Sequence, residues 1–94
     1  CVIFIANDVS YDMSQVDCGL LGQNIILEAW SMGIGSCCMA HPVRLVKNSE
    51  ACAGYVAKLG FSAGYNLLYS IVLGYPEENP GARGRREDMI RYVE

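Results

Sequence analysis

Four of the chain's seven basic residues, Arg83, Arg85, Arg86 and Arg91, gather near its carboxyl end. Arginines on a segment containing Gly84 suit a phosphate, because each guanidinium offers a planar fork of donors and glycine lets the backbone approach. The competing reading is a solvated basic stretch that offsets Glu77, Glu78, Glu87 and Asp88. A second group, Cys37, Cys38 and His41, offers thiols and an imidazole, the donor types of zinc. Vicinal cysteines in a strand point to opposite faces, however, and their spacing matches no zinc finger unless Cys18 or Cys52 is recruited. Small buried thiols are the simpler reading. His41 is the only histidine, and no Ser or Cys nucleophile with a third orienting group accompanies it, so neither a triad nor a carboxylate pair is indicated. Gly33-x-Gly35 joins a helix end to a strand start, the reverse of a dinucleotide fingerprint, and reads as a helix cap. Met39 to Val43, by contrast, leave a strand at its carboxyl end, where ligands of α/β sheets commonly bind.

The elements that must position these residues follow from the apolar pattern. Val2 to Ala6 is a short β-branched run closed by Asn7-Asp8, the mark of a buried strand. Ser14 with Asp17 three residues on resembles a capping box and Gly33 supplies a stop, which predicts a helix over Ser14 to Met32. At 100° per residue this helix carries Val16, Leu20, Ile26, Leu27 and Trp30 on one side and Leu21, Ile25, Ala29 and Met32 nearly opposite. Gly19 and Gly22 each cost about 1 kcal/mol of helix propensity relative to Ala, which close approach of another helix would offset. Cys37 to Met39 reads as a second buried strand ending near His41-Pro42. Ser49 caps a helix over Glu50 to Leu59, and Gly60 ends it. Leu67 to Gly74 is a third strand terminated by Tyr75-Pro76, Glu77 to Arg86 a loop, and Met89 to Val93 a final edge-type strand.

The whole is 94 residues with 52% hydrophobic and 18% charged residues and a net charge of -3. That is one small globular unit, and its apolar content excludes disorder. No basic stripe with interleaved aromatics supports a nucleic-acid platform, and no apolar run approaches the roughly 20 residues of a membrane span. Five cysteines, an odd count without framework spacing, point to reduced thiols and a cytoplasmic setting. An apolar strand directly after Cys1 argues against a lipid-bearing cysteine on a polar tether. A chain that opens in mid-strand, with a helix apolar on two sides, is expected to be the carboxyl-terminal portion of a longer domain that buries this helix at a subunit or domain contact.

The segment from Asp17 through Gly19, Gln23-Asn24, Leu27 and Ala29 to Gly33-Ile34-Gly35 resembles the D-x-G-x-x-x-Q-N-x-x-L-x-A-x-x-x-G-L-G stretch of the nitroreductase family of flavoproteins. Val72-Leu73-Gly74-Tyr75-Pro76, followed by Arg83 to Tyr92, is similar to that family's closing strand, G-Y-P loop and basic flavin-phosphate segment. The resemblance implies an α+β fold: a nitroreductase-like three-layer sandwich, present in part, with a long central helix against a mixed sheet and a carboxyl-terminal strand extending to a partner subunit. It implies a homodimer with FMN at the interface, Ala40, His41 and Pro42 against the isoalloxazine, and Arg83 and Arg85 on the FMN phosphate. The implied activity takes hydride from NAD(P)H and passes electrons to a nitroaromatic, quinone or similar acceptor. The family's amino-terminal phosphate and flavin motif has no counterpart in these 94 residues. The chain by itself is therefore expected to be inactive, and a non-catalytic flavin-fold or dimerisation fragment is the alternative.

Overall fold

The computed structural model describes residues 1–93. Three strands, β1 (Val2–Asp8), β2 (Gly35–Met39) and β3 (Tyr65–Gly74), form one sheet in the order β1-β3-β2. Both pairings are antiparallel among the described residues, where a mixed sheet was expected. β3 lies between its neighbours, which accounts for its near-continuous apolar run: a central strand is covered on both faces. β1 alternates instead, with Ile5 and Asn7 buried and Val2 and Phe4 exposed. β2, expected to be buried, is an edge strand whose Ser36, Cys37 and Cys38 are exposed. The β1–β3 ladder is irregular between Ile5 and Ala6: Ile5 pairs with Tyr69 and Ala6 with Leu67, leaving Leu68 as the extra residue of a bulge.

The helix α1 (Ser14–Ser31) packs across the sheet face that carries Ile5 and Ile71. Its start differs from the capping box read in the sequence, since Met13 is the cap residue and makes no side-chain bond. The Ser14 hydroxyl is committed to tertiary contacts: it donates to the Asp8 carbonyl at 2.6 Å and accepts from the Asn7 side-chain amide at 3.1 Å. The stop is as expected, with Gly33 at φ 75° and the Ile34 N–H returning to the Ala29 carbonyl at 2.9 Å. This six-to-one bond with a left-handed glycine is a Schellman ending. Cys18, Gly22 and Ala29 form the buried stripe, and Ile25 and Ile26 pack beside it. The two predicted apolar sides are not the observed division: Ile26 of the first side joins the core, Leu20, Leu27 and Trp30 of that side are 58 to 64% exposed, and Leu21 and Met32 of the second are exposed as well.

Two short helices, α2 (His41–Asn48) and α3 (Glu50–Ala57), pack together, and α2 contacts β3. Phe4, next to the inward Ile5, lines a hollow with Pro42, Leu45 and Tyr55, so this pair lies on the sheet face opposite α1. Ser49 caps α3 as expected, its hydroxyl oxygen accepting from the Cys52 N–H at 3.4 Å. α2 was not foreseen. Its Pro42 occupies the first turn, where a missing N–H costs nothing and a fixed φ favours the helix. Beyond Gly74 the chain is exposed through Val93. The predicted edge strand at Met89 to Val93 does not form; a 3-10 turn spans Glu87–Met89, and extended backbone follows at Ile90.

The consequence is an open molecule. Its Cα radius of gyration is 16.4 Å, against about 12 Å for a compact chain of this length. Its accessible surface is 7991 Å², where a folded monomer of 10.3 kDa exposes about 5,400 Å². No helix among the described residues is long and apolar enough to cross a membrane.

Candidate functional site

Ala40 follows β2 and caps α2, and it borders a cavity of about 360 Å³ on the α1 side of the sheet. Gly19, Gly22 and Gln23 of α1 form one wall, Cys38 to Ala40 the other, and Tyr69 of β3 the floor. The volume falls at the lower end of the range for small-molecule sites. The wall at Ala40 leads into the first turn of α2, where Pro42 has no N–H, the Val43 N–H donates to the Ala40 carbonyl at 3.2 Å, and the positive end of the helix dipole lies.

Tyr69 organises the floor. Its hydroxyl donates to the Cys18 carbonyl at 2.6 Å and occupies the space over Gly22, where a Cβ would collide with it. The sequence predicted close approach of another helix at Gly19 and Gly22. The structure shows a strand tyrosine at Gly22, and among the described residues none comes within 4 Å of where a Cβ on Gly19 would sit. Burial pushes the Tyr69 phenol above its ordinary range, and negative charge on Cys38 or Cys18 would add to the effect. Burial, with a smaller contribution from Asp17, likewise raises the Cys18 thiol, which donates to the Ala6 carbonyl at 3.6 Å. Ser70, fully buried, donates from its hydroxyl to the Met39 carbonyl at 3.4 Å.

The five residues singled out in the sequence are not brought to one place. Ala40 lines the cavity; His41 is exposed at the first position of α2; Pro42 turns into the apolar hollow against Phe4 and Leu45 on the other face. Segment 40–42 is thus a helix start and not the loop that was expected. Arg83 and Arg85 are exposed on a stretch without regular structure and line none of these hollows. Arg86 follows the solvated reading, pairing with Asp88 at 3.0 Å with both side chains largely exposed, an arrangement that contributes about 0 to 1 kcal/mol. Tyr69 and Gly22 were missed as a pair; the available signals were a phenol within an apolar strand run and a glycine inside a helix.

Comparison with known proteins places this geometry. The model of the Nitroreductase family matches residues 1–75. Among solved structures, a nitroreductase with bound FMN from Desulfitobacterium hafniense aligns over 100% of this chain and 50% of its own, at 31% identity and a TM-score of 0.83. A nitroreductase with bound FMN from Bacteroides fragilis covers 99% of this chain at 21% identity with a TM-score of 0.84. An FMN-dependent nitroreductase from Clostridium difficile covers 97% at 24% identity with a TM-score of 0.73. The latter two likenesses establish the α+β fold alone. The chain spans about half the length of the structures it matches. A search among curated proteins found no match.

Proposed function

The chain belongs to the nitroreductase family, and on that premise we propose that it supplies one part of the flavin site of an FMN-dependent oxidoreductase. The observation that carries this reading is the cavity between α1 and Cys38 to Ala40, in a fold shared with an FMN-bound relative at 31% identity. The lining suits a flat aromatic ring with a polar edge: small residues at Gly19 and Ala40 leave room for a plane, and Gln23 offers an amide at the rim. Bound FMN would supply the redox chemistry, accepting hydride from NAD(P)H and delivering electrons to a nitroaromatic, quinone or similar acceptor. The protein's own tasks are then orientation and electrostatics. The start of α2 at Ala40 and His41 presents N–H donors and a positive dipole end to an electron-rich ring edge. Pro42 keeps that turn helical from the opposite face. Arg83 and Arg85 would bind the phosphate by bidentate hydrogen bonds.

In this reading the chain is the carboxyl-terminal portion of a nitroreductase-like three-layer domain with α1 at its centre. It assembles with the amino-terminal portion and with a second subunit in a cytoplasmic homodimer. The open face of α1, at Leu20, Leu27 and Trp30, is buried there, and residues 90–93 extend along the partner. The surface in excess of a compact monomer supports this, since it has the size of an obligate interface. The test is FMN retention by the protein expressed in its native reading frame. A yellow preparation that oxidises NAD(P)H with a nitroaromatic or quinone, and loses flavin on Arg83→Ala or Arg85→Ala, is expected. Flavin absorbance undiminished in both variants would refute the phosphate assignment. A second reading, a flavin-fold module without catalysis, draws on the chain spanning half of its relatives; a colourless protein that takes up no added FMN would establish it.

A further inference from the structure

We propose that Tyr69 and Ser70 of β3 are positioning residues that hold the two walls of this cavity at a fixed separation; the proposal rests on the flavin reading above. Consecutive strand residues point to opposite faces, and here each face is tied to a different wall. Tyr69 turns toward α1, donates to the Cys18 carbonyl at 2.6 Å and fills the notch over Gly22. Ser70 turns the other way and donates to the carbonyl of Met39 at 3.4 Å, one residue before Ala40. The register fixes the same relation, because Met39 and Ser70 are Cα partners in the β2–β3 ladder. The α1 wall and the Ala40 wall are therefore anchored to adjacent residues, about 3.8 Å apart along the chain, beside the fully buried Ile71. Both hydroxyl protons are donated to backbone carbonyls, so neither is left to donate to a ligand. Their influence on the site passes through α1 and through the start of α2.

The test compares Tyr69→Phe and Ser70→Ala with the parent, each in the native reading frame and each checked for folding by its melting temperature. FMN affinity is read by titration at a temperature well below melting, where a purely structural role leaves Kd unchanged. Each variant is expected to raise the FMN Kd by about three- to tenfold, the size of one ordinary hydrogen bond. The second readout needs no flavin. Cys18 is buried and is the residue whose carbonyl Tyr69 holds, so its alkylation by iodoacetamide, followed by peptide mass, is expected to quicken severalfold in Tyr69→Phe. If the parent binds FMN and both variants bind it equally well, the proposal is wrong while the flavin reading stands. If the parent takes up no FMN, the flavin reading falls and the Cys18 alkylation rate alone decides: a quickened rate retains the positioning role, and an unchanged rate overturns it. Should one variant fail to fold, the other decides by its own readouts.

Discussion

Ala40 sits where α1, β2 and β3 converge, flanked by hydrogen bonds from Tyr69 and Ser70, whereas Arg83 and Arg85 stand exposed on a stretch with no secondary structure. The two regions were linked by a resemblance to one cofactor site, yet they are built differently. The first is fixed by packing within the chain, and its geometry exists before any ligand arrives. The second has charge and donor forks but no regular structure of its own, and each long side chain immobilised on a phosphate would cost about 0.5 to 1.5 kcal/mol. In the proposed flavin site, shape discrimination would belong to the Ala40 end, and electrostatic attraction, sensitive to salt, to the arginine end.

The largest effect that would sharpen this contrast comes from Gly22→Ala. Its methyl group would meet the Tyr69 hydroxyl, and overpacking of this kind costs about 1 to 3 kcal/mol, of which the alanine's better helix propensity returns about 1 kcal/mol. Urea unfolding should show the loss, and an unchanged midpoint would mean the α1–β3 contact is slack. A smaller effect is expected on the alkaline side. Tyr69 and Cys18 are both raised above their ordinary values of 10.0 and 9.0, so the folded state holds both protons more tightly than the unfolded state. Their contribution is complete below pH 9 and is lost as pH climbs through 10 and beyond. Denaturation midpoints measured from pH 7 to 10.5 should fall, and Tyr69→Phe should flatten the decline. The smallest effect belongs to the tail: Arg83→Ala and Arg85→Ala should each leave stability within about 0.5 kcal/mol of the parent. A loss above 1 kcal/mol in either would show that the tail is packed after all and erase the distinction.

Much of the first region was legible from residue patterns and little of the second. β1, α1, α3 and β3 each announce themselves through apolar periodicity and through stops such as Gly33, because those signals are local. What escaped was relational. The mixed sheet was implied by the resemblance for the whole sandwich, and the antiparallel pairing of these three strands was not legible because apolar runs do not encode which strand faces which. Ser14 was read as a cap because its partners, Asn7 and the Asp8 carbonyl, lie in another element. α2 was missed because Pro42 was taken as the end of a strand, although proline also suits a helix's first turn and Val43 and Val46 follow at helical spacing. Within the site, Ala40 was found and its supports were not: Tyr69 reads as one more apolar strand residue until Gly22 is seen beneath its hydroxyl. Residues 89–93 hold strand-forming types such as Ile90, Tyr92 and Val93, but a strand needs a ladder, and among the described residues none pairs with them.

The bulge at Leu68 acts as a parity switch. Along a strand, in and out alternate like even and odd numbers, and one unpaired residue inverts the count. Tyr65 to Leu67 therefore obey one parity against β1, and Tyr69 to Gly74 the other. β2 pairs only with residues 70–74, on the near side of the switch. The inversion puts odd-numbered Tyr69 and Ile71 beside Ile5 and Ile3 on the α1 face, and even-numbered Asn66 opposite Asn7 on that same face. One strand thus offers α1 residues of both parities, which an unbroken alternation could not do.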